Sequence, residues 1–152
     1  MSISARLKTL LDQNKIPYSV MTHQTAYTAQ RTAATMQISA KELAKTVVVL
    51  AGEEMILAVL PGQRHVKLHK LGAELKKPVR LASEQEFITR FPDCEVGAMP
   101  PIGSLYNLPV YVDESLADDE EIFFNAGTHH DAIRMRYDDF VRLVKPKICS
   151  FA

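Results

Sequence analysis

Apolar residues Ile3, Leu7, Leu10 and Leu11 recur at helical spacing, which predicts an amphipathic helix over about residues 4–14. Ile16-Pro17-Tyr18-Ser19-Val20-Met21 then reads as a short strand, and the alanine-rich stretch 28–36 as a second helix. Ser39-Ala40-Lys41-Glu42 has the serine-to-glutamate spacing of a capping box and opens a brief helix. Thr46-Val47-Val48-Val49-Leu50 is β-branched and apolar on both faces, the pattern of a central strand covered from two sides. Gly52-Glu53-Glu54 turns the chain into Met55-Ile56-Leu57-Ala58-Val59-Leu60, its hairpin partner, which ends at Pro61-Gly62.

A helix over residues 66–76 follows, with Leu68, Leu71 and Leu75 inward, then a short strand Val79-Arg80-Leu81. Ser83-Glu84-Gln85-Glu86 is a second capping box, opening a helix to about Arg90. After a loop rich in glycine and proline come strands at residues 109–113, 121–125 and 132–136. Asp138 or Asp139 caps a last helix through Val144, stopped before Pro146. Six or seven short strands interleave with four or five helices, and the adjacent hairpins make the sheet mixed and mostly antiparallel, so the class is α+β. Without repeat or linker, residues 1–152 are expected to form a single domain.

Composition narrows this little. The chain is 47% hydrophobic and 24% charged, an ordinary soluble mixture. No apolar run is long enough for a membrane span, and the first residues lead into a helical pattern rather than a signal peptide, so a cytoplasmic location is expected. Cys94 and Cys149 have no metal or redox spacing. The formal net charge is zero, yet Arg64, Lys67, Lys70, Lys76, Lys77 and Arg80 cluster around one acid, Glu74, whereas Asp113, Glu114, Asp118, Asp119, Glu120 and Glu121 contain no base between them. The basic stretch is either a solvated face or a local track for phosphates.

Three segments carry candidate chemistry. Lys45 precedes the most apolar strand, where it either snorkels to water or holds a phosphate or carboxylate. Gly97-Ala98-Met99-Pro100-Pro101 is a turn with fixed φ at its prolines, either a rigid connector or a loop whose amides converge on a carbonyl oxygen. Asn125-Ala126-Gly127-Thr128-His129-His130 follows a strand, either a polar hairpin turn or a site histidine beside a close backbone approach. Other schemes fail. The chain has no Gly-x-Ser-x-Gly elbow, Walker loop or Gly-x-Gly-x-x-Gly, and His65 and His69 share helical spacing without an obvious third ligand, so no metal or cofactor is expected.

Together, the lysine strand Lys45-Thr46-Val47-Val48-Val49, the Gly-x-x-x-Pro loop from Gly97 to Pro101 and the late Gly-x-His segment at Gly127 to His129 resemble the YbaK / prolyl-tRNA synthetase insertion (editing) domain family of aminoacyl-tRNA deacylases. The resemblance covers nearly the whole chain. It implies a mixed, partly barrel-like sheet flanked by helices, and hydrolysis of the ester between a mischarged amino acid and the terminal adenosine of tRNA. It implies Lys45 at the phosphate or ribose of the acceptor end and backbone amides of Gly97 to Pro101 at the scissile carbonyl. His129 would orient substrate or water, with Gly127 giving it room; a one-residue slip would select His130. Thr46, Met99, Pro100, Asn125 and Thr128 complete the expected substrate-binding set, and Tyr27, Met21 and Met99 are candidate walls for the amino acid. In similar proteins a ribose hydroxyl of the substrate, or a loop-held water, assists in place of a side-chain base.

The expected activity is a trans-acting deacylase for mischarged tRNA of the Ala- or Cys-tRNA(Pro) type, with the tRNA acceptor end as partner and a prolyl-tRNA synthetase as a second candidate partner. The alternative is a non-catalytic module that binds tRNA or aminoacyl-adenosine, motivated by the missing general base and zero net charge. The sequence leaves the amino acid and the oligomeric state open.

Overall fold

The computed structural model describes residues 5–152, so Ile3 and the predicted first helical residue Ser4 lie outside it. Its elements in chain order are α1 (Ala5–Gln13), β1 (Tyr18–Thr22), α2 (Ala29–Met36), β2 (Ala44–Ala51), β3 (Glu54–Pro61), α3 (Leu68–Leu75), β4 (Val79–Leu81), α4 (Glu84–Phe87), β5 (Val110–Asp113), β6 (Glu121–Asn125), β7 (Asp131–Arg136), α5 (Tyr137–Val144) and β8 (Lys147–Cys149). The fold is α+β. A three-stranded antiparallel sheet has the order β1-β7-β6, and a five-stranded mixed sheet the order β4-β2-β3-β5-β8. In the larger sheet β4, β2 and β3 are antiparallel, while β5 and β8 join in parallel.

The partly barrel-like expectation stops short of closure: the two sheets do not form a closed barrel, and an isolated parallel bridge between Leu43 and Phe123 joins them. The strand count is corrected to eight among the described residues. β8 was not foreseen because it comes just past Pro146 and is only three residues long. Its formation depends on the distant β5, where Val112 pairs with Ile148.

The β2–β3 hairpin explains why its sequence is apolar on both faces. Val48, Leu57 and Val59 enter the larger core with Leu7, Leu11, Ile122, Phe124, Ile133 and Phe140. Val49, Ile56, Ala58 and Leu60 enter a second core with Leu71 of α3 and Phe151. Each buried Val, Leu, Ile or Phe side chain among these contributes roughly 1.5–3 kcal/mol. These central strands form the frame on which the start of β2 is held.

Local signals were realised unevenly. Ser83 and Glu86 form the full reciprocal capping box. Ser39 accepts only from the Lys41 amide and opens a single 3-10 turn, Ala40–Glu42, because β2 begins at once. Helix α5 starts directly from β7, with Arg136 at its N-cap and no side-chain cap. Asp138 and Asp139 are therefore first-turn residues rather than caps, placed favourably against the helix dipole.

Gly62 sets a packing distance that matters below. A Cβ there would lie 2.9 Å from Ala29 Cβ and 3.0 Å from the Ala40 carbonyl oxygen. Only glycine lets the chain after β3 pass this close, and its amide donates to the Leu43 carbonyl at 2.7 Å. The N-terminus of α2 is thereby brought against the entrance of β2.

Candidate functional site

A cavity of about 170 Å³ opens at that junction, lined by Tyr27, Thr28, Ala29, Leu43, Ala44, Lys45, Thr46, Gly97, Met99 and Asn125. The entrance of β2, the N-terminal end of α2, the glycine–proline turn and the end of β6 therefore meet at one hollow. Lys45 is half-buried, and burial lowers its pKa. It has no ion-pair partner among the described residues, so its charge is available to a ligand. A second cavity of about 180 Å³, lined by Lys45, Val47, His65, Val66, Leu68 and Leu81, also reaches this lysine.

The walls contain polar atoms that the protein leaves unused. Thr46 Oγ1 and Asn125 Oδ1 are buried without a hydrogen-bond partner. An unsatisfied buried polar group costs roughly 1–3 kcal/mol, and both atoms belong to residues that line the cavity, Thr46 and Asn125.

The turn is held from behind. Gly97 has φ +87° and Gly127 φ +101°, both in the region that favours glycine. The Glu95 amide donates to the Gly127 carbonyl at 2.7 Å, and the Gly127 amide donates to the Ala98 carbonyl at 2.9 Å. The Ala98 amide is committed to the Glu95 carbonyl, and Pro100 and Pro101 have no N–H. What remains is the Gly97 amide, which donates only to the Met99 thioether at 3.2 Å, and the Met99 amide, which has no acceptor among the described residues. A thioether is a weak acceptor that a carbonyl oxygen readily displaces.

His129 stands one layer behind the cavity, 5% exposed. Its Nε2 lies 2.7 Å from the Val96 carbonyl oxygen, which can only accept, so Nε2 carries the proton. Its amide donates to the Glu95 carboxylate at 3.3 Å, and its carbonyl accepts from the Ala26 amide at 3.0 Å. A Cβ on Gly97 would sit 3.3 Å from its Cε1, and its ring meets that of Tyr27 with centroids 4.8 Å apart. Its Nδ1 is buried without a partner. His130 instead lies with Nε2 3.3 Å from the Asp131 carboxylate.

Of the residues predicted from sequence, Lys45, Thr46, Gly97, Met99 and Asn125 line one cavity. Pro100, Pro101, Gly127, Thr128 and His129 are buried outside its lining, with Thr128 donating to Asp131 at 2.7 Å. Of the candidate walls, Tyr27 and Met99 line the cavity and Met21 does not; it pairs with Ala132 in the smaller sheet. The reading missed Thr28, Ala29, Leu43 and Ala44, which arrive through the tight Gly62 contact, and Glu95, which staples the turn to Gly127 and His129. No local pattern announces these roles.

Arg64, Lys67, Lys70, Lys76 and Lys77 are exposed and have no ion-pair partner among the described residues, whereas Arg80 is engaged by Glu86 at 2.7 Å. Burial pushes the Cys94 thiol up to about 12, so it offers no thiolate nucleophile at neutral pH. No cluster of three His, Cys, Asp or Glu able to hold a metal ion occurs among the described residues, and no described helix is long and apolar enough to cross a membrane.

Residues 23–143 match the model of the aminoacyl-tRNA editing domain. The chain belongs to that family. Editing is hydrolysis of the aminoacyl-tRNA ester, so the chain is an aminoacyl-tRNA deacylase acting on charged tRNA. It is 25% identical over 152 residues to the multifunctional Ser/Thr-tRNA deacylase ProXp-y of Escherichia coli (strain K12), covering 96% of this chain and 90% of that protein; its counterpart in strain O157:H7 matches equally. Two solved structures share the fold. The crystal structure of a hypothetical protein superposes with TM-score 0.88 at 20% identity, covering 96% of this chain and 98% of the other. That of a candidate trans-editing enzyme for prolyl-tRNA synthetase gives 0.82 at 22% identity, covering 99% and 98%.

Proposed function

We propose that this editing domain acts in trans, as a single free-standing unit in the cytoplasm, to remove small amino acids from mischarged tRNA. The first candidates are alanine or cysteine on tRNA(Pro), delivered free or by a prolyl-tRNA synthetase. The observation that carries the reading is the shared cavity: an unpaired, half-buried ammonium on one side and under-used main-chain donors on the other.

In this scheme Lys45 holds the phosphate or ribose of the terminal nucleotide. The amides of Gly97 and Met99 hold the ester carbonyl oxygen and stabilise the oxyanion as water attacks the carbonyl carbon. The ester bond then breaks, the ribose oxygen leaves with a proton, and the free amino acid departs. No carboxylate or imidazole lines the cavity, so proton transfer runs through water or the neighbouring ribose hydroxyl of the substrate. An ester needs little activation, and positioning with electrostatic stabilisation supplies much of the rate.

A second reading of the amino acid has its own support. Thr46 Oγ1 and Asn125 Oδ1 are spare polar atoms that would suit a hydroxylated side chain, serine or threonine, and ProXp-y is named for those two. Hydrolysis of a panel comprising alanyl- and cysteinyl-tRNA(Pro), seryl-tRNA and threonyl-tRNA decides. Turnover of the first pair supports the primary reading, and turnover of the second pair moves the specificity to hydroxyl recognition. Tight tRNA binding with no turnover of any member would leave only a binding module.

A further inference from the structure

Tyr27 is the most solvent-exposed of the large hydrophobic side chains among the described residues, 75% exposed, and it borders the cavity whose floor includes the buried Leu43, Ala44 and Met99. An exposed aromatic of this kind is ordinarily free to move, but three features restrain it. The loop that carries it is tied at both ends to the histidine turn: the His23 amide donates to the His130 carbonyl at 2.9 Å, and the Ala26 amide to the His129 carbonyl at 3.0 Å. The next residue, Thr28, is the N-cap of α2, accepting from the Arg31 amide at 3.1 Å. The tyrosine ring itself leans on the His129 imidazole, with centroids 4.8 Å apart and planes at 52°.

His129 is well suited to be that support. Its ring is clamped between the Val96 carbonyl, which receives its Nε2 proton at 2.7 Å, and the Gly97 backbone. The charged and polar cavity residues, Lys45, Thr46 and Asn125, account for a phosphate, ribose or ester but offer no aromatic face. An aminoacyl-tRNA ends in an adenine, and a base finds such a face by stacking, which is worth about 1–3 kcal/mol per base.

We infer that Tyr27, propped on His129, is the stacking platform for the terminal adenine of the acceptor end. The inference rests on the deacylase reading for its ligand. It makes Tyr27 a binding residue and His129 a positioning residue that acts through it.

The test uses the whole chain and paired probes that differ only in the base. The non-hydrolysable pair is 3′-alanylamino-3′-deoxyadenosine and the same amide on a methyl riboside. The reactive pair is the corresponding esters. Wild-type protein should bind the adenine amide roughly 5–150-fold more tightly than its base-free counterpart, the range that stacking energies imply. Tyr27→Ala should erase this difference, and Tyr27→Phe, which keeps the aromatic face, should restore most of it. With the esters, the loss should fall on KM rather than kcat. His129→Gln, which can still donate to the Val96 carbonyl, should weaken the adenine probe while leaving the base-free probe alone.

Tyr27 is exposed, so its variants test binding without threatening the core. Equal binding of the two probes by wild-type protein overturns the platform, as does an adenine preference that survives in Tyr27→Ala. An adenine preference that depends on Tyr27, found without hydrolysis of any ester or tRNA, would sink the deacylase reading and keep the platform.

Discussion

Two buried polar regions of this protein treat their hydrogen bonds in opposite ways. Asp113, 2% exposed at the end of β5, is fully engaged: its carboxylate accepts from the amides of Phe151 at 2.8 Å, Ala152 at 2.9 Å and Ser115 at 3.0 Å, and from the Ser115 hydroxyl. The cavity at the entrance of β2 leaves Thr46 Oγ1 and Asn125 Oδ1 without partners and Lys45 without a counter-charge. The first arrangement stabilises the fold. It seats Phe151 in the core beneath α3, and the Phe151 carbonyl then takes the Lys67 amide at the helix entry, at 2.6 Å. The second costs stability, as polar groups held ready for a ligand do. Buried polarity alone thus does not mark a site, and neither does one orphaned atom, since Tyr137 Oη and His23 Nε2 also lack partners away from the cavity; what sets the β2 entrance apart is that two such residues and an unpaired ammonium line the same hollow.

The contrast predicts opposite responses to mutation. Asp113→Ala should be the most damaging change, lowering unfolding stability by roughly 2–4 kcal/mol because buried amides lose a charged acceptor. Denaturant titration checks this, and deacylation per folded molecule should persist. The pH dependence has a definite sign. Burial opposes ionisation of Asp113, but the Phe151, Ser115 and Ala152 donors outweigh it and lower its pKa. Its contribution is therefore present above the ordinary carboxylate value and is lost as pH falls through the depressed one. Asp113→Ala should lack this part of the acid destabilisation.

Lys45→Ala should do the reverse. Losing one charge-assisted contact of about 1.5–3 kcal/mol lowers kcat/KM by roughly 10–150-fold, while the melting temperature holds or rises because a desolvated charge has gone. A destabilised variant, or one with normal kinetics, would move Lys45 into the structural class. Thr46→Val is the smaller version. It removes an orphaned hydroxyl at nearly constant shape, so stability should change by less than about 1 kcal/mol and kcat/KM should drop several-fold. Parallel melting curves and deacylation assays compare the two effects directly.

How far the sequence reached follows the same physics. β2 and β3 were legible because pattern and pairing are both local, with Val48 opposite Leu57 across a short turn. β8 was not, since three residues after a proline acquire strand character only from the distant Val112. Nor was the split into two sheets, which depends on which strand edges meet. At the site, Lys45, Thr46, Gly97, Met99 and Asn125 carried signals of residue type and turn chemistry, and they do share a cavity. The α2 wall carried none: Ala29 is there because Gly62 permits an approach that only three-dimensional packing discloses. His129 was legible as a residue of interest, but its depth behind the wall is set by hydrogen bonds to Val96, Glu95 and Ala26, far apart in sequence.

The subtlest test separates the two regions by titration of the lysine. Burial lowers the Lys45 pKa from its ordinary 10.5. The folded protein therefore gives up this proton at lower pH than the unfolded chain does, and between the two values stability rises with pH on account of Lys45. Activity must move the other way, because the neutral amine no longer holds an anionic substrate. Once spontaneous ester hydrolysis is subtracted, the enzymatic rate should decline on the alkaline side before an ordinary lysine titrates. The stability of the wild-type protein should meanwhile gain relative to Lys45→Ala over the same interval. A rate decline that instead tracks unfolding would mean that the fold, not the ammonium group, limits catalysis there, and the cavity would lose its claim to differ in kind from the Asp113 clamp.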